Sequence, residues 1–128
     1  MKLLLDTHAL IWWVEDDPKL SRAAAAAVET ADDRVLFSAA SIWEIATKLR
    51  IGKLKMTRPL SGTVHELIHR VRLDPLAISV EHAQLAGELP GPHKDPFDRM
   101  LIAQARLDDL TVVTSDPIFR RYRVRVVW

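Results

Sequence analysis

The stretch Leu3-Leu4-Leu5-Asp6 decides the fold of this chain. Three consecutive apolar residues that end at an acid are typical of a short strand buried on both faces of a parallel sheet. Residues 9–14 follow at once with the apolar spacing of a helix, so the chain opens with a strand and a helix in direct succession. This opening predicts an α/β architecture in which Asp6 lies at the carboxyl end of the first strand.

The alternation of strand and helix patterns continues to the end of the chain. Strands that alternate with helices favour a three-layer α/β/α domain around a central, mostly parallel sheet of about five strands. Ligands bind such sheets beyond the carboxyl ends of the strands, near the point where the strand order reverses. The further strands are predicted at 34–38, 76–78, 111–114 and 124–127, and the further helices at 20–29, 39–50, 60–72, 81–89 and 96–107, with a helical turn at 117–121.

Length and composition limit the class of protein. The 128 residues correspond to about one domain, so we expect a single domain over 1–128. Hydrophobic residues make up 48% and charged residues 27%, which favours a packed core and excludes a disordered chain. Cysteine is absent, which excludes disulfide scaffolds and thiol catalysis.

Charge and hydropathy limit the partners and the location. No stretch approaches the roughly 20 apolar residues of a membrane helix, and the N-terminus lacks a signal peptide pattern. We therefore expect no membrane partner and a cytoplasmic location. The net charge of +1 gives no global basic field, so a nucleic acid would have to meet a local basic patch.

Four acidic residues fall at the edge where the carboxyl ends of the predicted strands meet. Carboxylates within about 4–6 Å repel one another and raise at least one pKa, and a stable fold does not need four of them together. A divalent cation removes the repulsion, and oxygen ligands without cysteine favour Mg²⁺ or Mn²⁺. The set predicts metal-assisted hydrolysis of phosphodiester bonds and consists of Asp6, Glu44, Asp98 and Asp116.

Helix capping is the alternative role for each of these acids taken alone. Ser41-x-x-Glu44 has the spacing of a capping box, and Asp95 followed by Pro96 would cap the helix that carries Asp98. Asp6 and Asp116 also precede helical segments. Capping explains single positions, whereas the conjunction of four acids favours a metal site.

The residues that carry these acids resemble a PIN-domain ribonuclease of the VapC toxin type, over nearly the whole chain. The resemblance implies an α/β fold and a Mg²⁺- or Mn²⁺-dependent endoribonuclease that acts as a type II toxin. It also implies a small VapB-type antitoxin as partner and a homodimer. The matching motifs are Leu4-Leu5-Asp6-Thr7-His8, Ser41-x-x-Glu44-Ile45, His93-x-Asp95-Pro96-Phe97-Asp98-Arg99-x-Leu101-Ile102-Ala103-Gln104-Ala105 and Thr114-Ser115-Asp116.

Roles follow from the resemblance position by position. Asp6, Glu44, Asp98 and Asp116 become the catalytic acids, with Asp6 and Asp98 as the direct metal ligands. The metal is assigned to Asp98 rather than Asp95 because of its offset from the alanines later in the motif, which leaves Asp95 as a cap or a supporting group.

Other polar and basic residues surround the expected site. Four hydroxyl side chains could hydrogen-bond a carboxylate or a metal-bound water, or could equally cap the backbone locally; they are Thr7, Ser38, Thr114 and Ser115. The basic stretch after Glu44 would offset the repulsion between an acidic site and RNA. The RNA-contact candidates are Lys48, Arg50, Lys53 and Arg99.

Two other functions compete with the nuclease. One is a PIN-like module that binds RNA or a protein without cutting. The other is a zinc peptidase, since His65-Glu66-Leu67-Ile68-His69 matches the H-E-x-x-H pattern. On a helix, however, both histidines fall away from the apolar stripe and toward solvent, which favours a solvated surface.

Trp12 and Trp13 lie on the helix after the first strand. We expect one of them in the core and the other on a dimer or antitoxin surface.

Overall fold

The computed structural model describes residues 1–57, 64, 68–69 and 71–128. Most of the predicted helix 60–72, with His65 and Glu66 of the peptidase pattern, lies outside the described residues. Within the described part, no helix is long and apolar enough to cross a membrane. The strands there are β1 (Leu3–Leu5), β2 (Val35–Ser38), β3 (Asp74–Leu76), β4 (Thr111–Val113) and β5 (Val126–Val127), and the helices are α1 (Thr7–Val14), α2 (Arg22–Glu29), α3 (Ala39–Arg50), α4 (Val80–Glu88), α5 (Pro96–Leu107) and α6 (Ile118–Arg121).

The five strands form one sheet in the order β3-β2-β1-β4-β5, and every neighbouring pair is parallel. The chain moves outward from β1 through β2 to β3 and then returns to the other side of β1 for β4 and β5. The strand order therefore reverses between β1 and β4, which is where open α/β sheets bind ligands. The backbone N–H of Asp6 donates to the carbonyl of Val113 at this point, at 3.1 Å.

Alternating side chains of β1 build the two halves of the core. Leu3 and Leu5 pack with α1, α2 and α3, whereas Leu4 packs with α5 and α6 on the opposite face. Leu4 and Leu5 have no exposed surface, and full burial of a leucine side chain contributes about 1.5–3 kcal/mol. The sheet covered on both faces confirms the predicted three-layer α/β architecture and explains why β1 is apolar throughout.

Two of the predicted strands, the third and the last, differ from the structure by more than one residue at a boundary. The apolar residues 76–78 suggested a third strand, but β3 covers Asp74–Leu76 and Ile78 is exposed. Pro75 is tolerated because β3 is an edge strand that pairs only with β2. The last strand is shorter than 124–127, because Arg123 has a positive φ and the N–H of Val124 donates to the carbonyl of Phe119.

Candidate active site

Asp6 links the end of β1 to the start of α1. It is the N-cap of α1, and its Oδ1 accepts a hydrogen bond from the N–H of Ala9 at 2.8 Å. Only 7% of the residue is exposed, and this burial raises its pKa, against the lowering effect of a hydrogen bond with the Thr114 side chain. The charge of Asp116 raises the pKa further. Asp6 therefore caps α1 and also lies at the carboxyl edge of the sheet, so the two roles that the sequence offered are compatible.

Asp98 lies in the first turn of α5, where Asp95 is the N-cap and Pro96 the first helical residue. Oδ1 of Asp95 accepts hydrogen bonds from the N–H groups of Phe97 and Asp98. Burial raises the pKa of Asp98 to about 6, and the charges of Asp95 and Asp116 act in the same direction. A carboxyl group with this pKa is ionised at neutral pH only at a free-energy cost.

His93 contacts Asp98 directly, which the sequence did not reveal. Its Nε2 lies 3.1 Å from Oδ2 of Asp98, and this contact lowers the pKa of Asp98 and so offsets part of the effect of burial. The histidine belongs to the loop before α5. It is the first residue of the motif at 93–105, and the sequence alone assigned it no role. The five-residue offset crosses a loop and a helix cap, so no regular spacing could have indicated the contact.

Glu44 projects from α3 and is 5% exposed. The N-cap of α3 is Ser38, whose Oγ accepts from the N–H of Ala40. The capping-box alternative for Ser41 and Glu44 is therefore wrong, because the helix begins three residues earlier than that spacing requires. The carboxylate of Glu44 instead forms an ion pair with Lys48 one turn later.

Lys48 brings a positive charge among the acids. The hydrogen bond with Glu44 raises the pKa of its ammonium group most strongly, and the charges of Asp95 and Asp98 raise it further. Its described contact is thus with a candidate catalytic acid. Arg50 and Lys53, the other two candidates of the basic stretch, are exposed to solvent.

Thr114 connects two of the acids. Its hydroxyl hydrogen-bonds the carboxylate of Asp6 and accepts a hydrogen bond from the N–H of Asp116 at 2.9 Å. Asp116 in turn accepts from the N–H of Ile118 at 3.0 Å, although the cap position itself belongs to Pro117. Asp116 is exposed, and its charge raises the pKa of both Asp6 and Asp98.

Buried hydroxyl and amide groups fix the helices that carry these acids. Oγ1 of Thr7 donates to Oγ of Ser41 at 3.0 Å, which ties α1 to α3. Oγ of Ser38 donates to Oε1 of Gln104 at 2.6 Å, which ties α3 to α5. Ser38 and Gln104 are fully buried, and unpaired polar groups there would cost about 1–3 kcal/mol each. This support was not predicted, because only tertiary packing brings α3 and α5 together.

The donor set of the acidic cluster suits a hard divalent cation. Every carboxylate supplies oxygen, and the charge of Asp116 raises the pKa of both Asp6 and Asp98, so a cation would neutralise repulsion there. Among residues 1–57, 64, 68–69 and 71–128, no three His, Cys, Asp or Glu side chains stand close enough to enclose an ion. Mg²⁺ fits this arrangement, since it keeps several waters and takes only one or two protein carboxylates.

Arg99 has a different environment from the one expected of an RNA contact. Its guanidinium group donates to the backbone carbonyls of Ala86, His93 and Leu89, with the first two at 2.9 and 3.0 Å. These bonds join α5 to the end of α4 and to the loop that carries His93. The arrangement favours a structural role for Arg99 over the predicted contact with phosphate.

The two tryptophans of α1 are both half-buried rather than divided between core and surface. Trp12 stacks on His8 with 5.5 Å between ring centroids and also contacts Trp128. Both tryptophans border a concave surface of about 240 Å³ with charged groups at its rim, including Asp16, Asp17 and Glu29.

Comparison with known families identifies the domain type. The family model described as PIN domain matches residues 3–124. A curated relative, Ribonuclease VapC22 of Mycobacterium tuberculosis, is 31% identical over 123 residues, which cover 94% of this chain and 92% of that protein. The family-model match includes all four acidic positions.

Solved structures share the same fold. VapBC2 from Rickettsia felis, crystallised with a DNA fragment from its promoter, contains a chain that superposes with a TM-score of 0.69 at 16% identity, covering 98% of this chain and 97% of that one. FitAcB from Neisseria gonorrhoeae gives a TM-score of 0.64 at 20% identity, covering 97% and 95%.

Proposed function

Because the chain belongs to the PIN domain family, we propose that it is a metal-dependent endoribonuclease and the toxin of a type II toxin–antitoxin pair. The observation that carries the proposal is the position of Asp116 at the carboxyl edge of the sheet, where its charge raises the pKa of both Asp6 and Asp98. A bound divalent cation at this edge would remove the repulsion that Asp116 exerts on the other two acids.

Asp6 and Asp98 are the proposed metal ligands. Both are held rigidly, Asp6 by its cap to α1 and Asp98 by His93 and the first turn of α5. Mg²⁺ or Mn²⁺, when bound, would lower the pKa of a water for attack on the phosphodiester and neutralise charge on the phosphate. Glu44 and Asp116 complete the pocket by ligation or by orienting the attacking water.

Supporting residues hold the ligands in place. The hydroxyl of Thr114 fixes the carboxylate of Asp6, and the bond from Thr7 to Ser41 fixes α1 against α3. Asp95 caps α5 and so fixes the first helical turn, which carries Asp98. Among the basic candidates, Arg50 and Lys53 remain the proposed phosphate contacts. Lys48 now pairs with Glu44. When a cation binds the acids and takes over that charge, the ammonium group of Lys48 would be free to contact an RNA phosphate.

A VapB-type antitoxin is the proposed protein partner, and a homodimer the proposed assembly. The relatives of this fold include structures named as VapBC complexes. The concave surface beside Trp12 and Trp13 supplies aromatic area, and its rim carries three acids, Asp16, Asp17 and Glu29, against one base, Arg22. This net negative rim suits a basic, partly apolar peptide. Because the proposed substrate is RNA, the cytoplasm is the proposed location.

RNA cleavage with controlled metals tests the nuclease. Purified protein is incubated with an end-labelled RNA pool in Mg²⁺, Mn²⁺, Zn²⁺ or EDTA, and the products are separated on denaturing gels. We expect cleavage in Mg²⁺ or Mn²⁺ alone and its loss in Asp98→Asn. The charge-matched variant Asp32→Asn, at an exposed position, should cleave like the wild type.

The same assay decides between the competing functions. Glu66→Gln would remove the general base of the peptidase pattern, so it should leave RNA cleavage unchanged. Absence of cleavage under every metal, together with retained binding of RNA, would overturn the nuclease in favour of the non-cleaving module.

A further inference from the structure

A cavity of about 470 Å³ lies between the loop that precedes α5 and the end of α6, and none of the four acids lines it. Three arginines line it: Arg106 from the last turn of α5, Arg121 at the end of α6, and Arg123 two residues beyond that end. The cavity has no carboxylate in its lining. The net charge of the whole chain is only +1. Folding therefore concentrates positive charge locally when it brings three arginines around one concave surface.

The arginines are available for a ligand. All three are exposed, and within the described part of the chain none of them has an ion-pair partner. The neighbouring Arg125 differs, because it pairs with Asp109 at 2.7 Å. Guanidinium groups present planar, multiply donating surfaces that match phosphate oxygens, so the free cluster suits a phosphate group.

The floor of the cavity has a fixed shape. Gly91 has a φ of 97°, and a Cβ atom there would stand 2.7 Å from the hydroxyl of Tyr122. Both the backbone conformation and the close approach therefore require glycine. The Tyr122 ring and the loop that it supports give the cavity an apolar base beneath the charged rim.

The cavity and the acidic site share two segments of chain. The loop of residues 90–92 lines the cavity and continues into His93, which contacts Asp98. Asp116, at the acidic site, is followed by the helix that ends in Arg121. Asp98 and Arg106 lie on the same helix, eight residues or about 12 Å apart along its axis, so the proposed RNA strand runs along α5 to reach both.

We propose that the cavity lined by Arg106, Arg121 and Arg123 binds a backbone phosphate of the RNA substrate, at a distance from the bond that is cut. The inference rests on the proposed function and extends it to a second contact. Its physical role is to offset the repulsion between RNA and the acidic site, which costs affinity in any nuclease with a carboxylate pocket. The contact is to the backbone, so it adds affinity without reading sequence.

Salt-dependent RNA binding tests the proposal. Binding of a fluorescein-labelled single strand of about 20 nucleotides is followed by anisotropy at several KCl concentrations, in an Asp98→Asn background that prevents cleavage. Because the cavity is proposed to hold one phosphate, Arg106→Gln with Arg121→Gln should reduce the slope of log Kd against log salt by about 0.7. The matched pair Lys19→Gln with Arg120→Gln removes the same charge from exposed positions outside the cavity and should leave the slope nearly unchanged.

Defined outcomes overturn the proposal. Equal slopes for both double variants would show a general charge effect, and an unchanged slope for the cavity variant would show that RNA does not enter. An acidic peptide that displaces no RNA but binds only with the arginines intact would assign the cavity to a protein partner. If the double variant does not fold, as judged by circular dichroism, Arg123→Gln alone should reduce the slope in the same direction, by up to about 0.7.

A cleavage comparison separates this proposal from the proposed function. The cavity variant should lose kcat/KM on a long RNA by at least about 5-fold and retain it on a short RNA that reaches only the acids. If the wild type cuts neither substrate, the nuclease itself fails, while the anisotropy measurement still decides whether the cavity binds RNA.

Discussion

Helix α5 carries a histidine–aspartate contact at each end, and the two contacts have the same length but different surroundings. His82 meets Asp108, the C-cap of α5, and His93 meets Asp98 in its first turn, both at 3.1 Å. The first contact closes a structural network, and the second faces other carboxylates. The difference shows that a distance alone does not assign a role to such a pair.

Both ring nitrogens of His82 are occupied by hydrogen bonds within the fold, so neither is available to bind a substrate or a metal. Nδ1 of His82 accepts from the N–H of Ser79 at 3.0 Å, so in the neutral ring the proton is on Nε2 and is donated to Asp108. Ser79 also caps α4 by accepting from the N–H of His82. His82 is 4% exposed, and every polar atom of its ring is satisfied.

The contact at the other end leaves an oxygen available. His93 engages Oδ2 of Asp98, while Oδ1 accepts no hydrogen bond from the described residues. The charges of Asp95 and Asp116 also act on this carboxyl group. Carboxylate ligands of metals are commonly held through their second oxygen in this way, so we infer that His93 is a positioning residue for Asp98.

The largest expected effect comes from the two aspartates of this comparison. Asp98→Asn should reduce RNA cleavage by at least about 100-fold, because an amide is a poor ligand for a hard cation and several kcal/mol of charge stabilisation depend on it. Asp108→Asn is the matched control: its amide oxygen still accepts from His82, so cleavage should remain within about 2-fold of wild type. Initial rates in Mg²⁺ measure both, and equal losses in the two variants would contradict the assignment.

The second effect concerns the stability supplied by His82. His82→Gln should lower the free energy of unfolding by about 1–3 kcal/mol, because Ser79 and Asp108 lose their buried partner. Affinity for Mn²⁺, followed by electron paramagnetic resonance, should not change. Urea denaturation measures the stability, and a loss of Mn²⁺ affinity without a loss of stability would reverse the roles of the two histidines.

The third effect is the counterpart at His93. His93→Gln should weaken Mn²⁺ binding by about 10-fold, because losing the group that orients a ligand typically costs 10–100-fold. Stability in EDTA should change by less than in His82→Gln, since His93 is less buried, with 22% of its side chain exposed. The same resonance titration measures the affinity. Unchanged Mn²⁺ binding would leave His93 as a surface residue of the loop.

The sequence predicted the elements of this comparison but not their pairing. The apolar run before Asp6 and the cap formed by Asp95 and Pro96 were sufficient to place strands, helices and acids, because these signals are local. Other roles depend on contacts between separate segments of the chain, which the periodicity of the sequence does not encode. The residues concerned are His93, Arg99, Ser38 and Gln104. The third strand was misplaced for the same reason: pairing with β2 fixed its register over Asp74–Leu76, against the apolar pattern two residues later.

The smallest effect is a pH dependence that distinguishes Asp98 from acids outside the site. The pKa of Asp98 is raised from 3.8 to about 6 in the folded protein, so the native state binds this proton more tightly than the unfolded state does. Stability in EDTA should therefore increase as pH falls from 7 to 5, by about 1 kcal/mol from this group. Below the unfolded value the gain is complete, and above pH 6 it is lost.

Asp98→Asn isolates that contribution. The variant has no proton to bind at this position, so the rise in stability between pH 7 and 5 should be smaller than in the wild type by about 1 kcal/mol. At pH 7 in EDTA it should melt at least about 3 °C above the wild type, because the cost of a buried, repelled charge has been removed. Urea denaturation and thermal melts across this range measure both quantities. Parallel pH profiles for the two proteins would mean that the Asp98 carboxyl titrates as an ordinary surface acid, and the contrast between the two ends of α5 would then rest on hydrogen bonding alone.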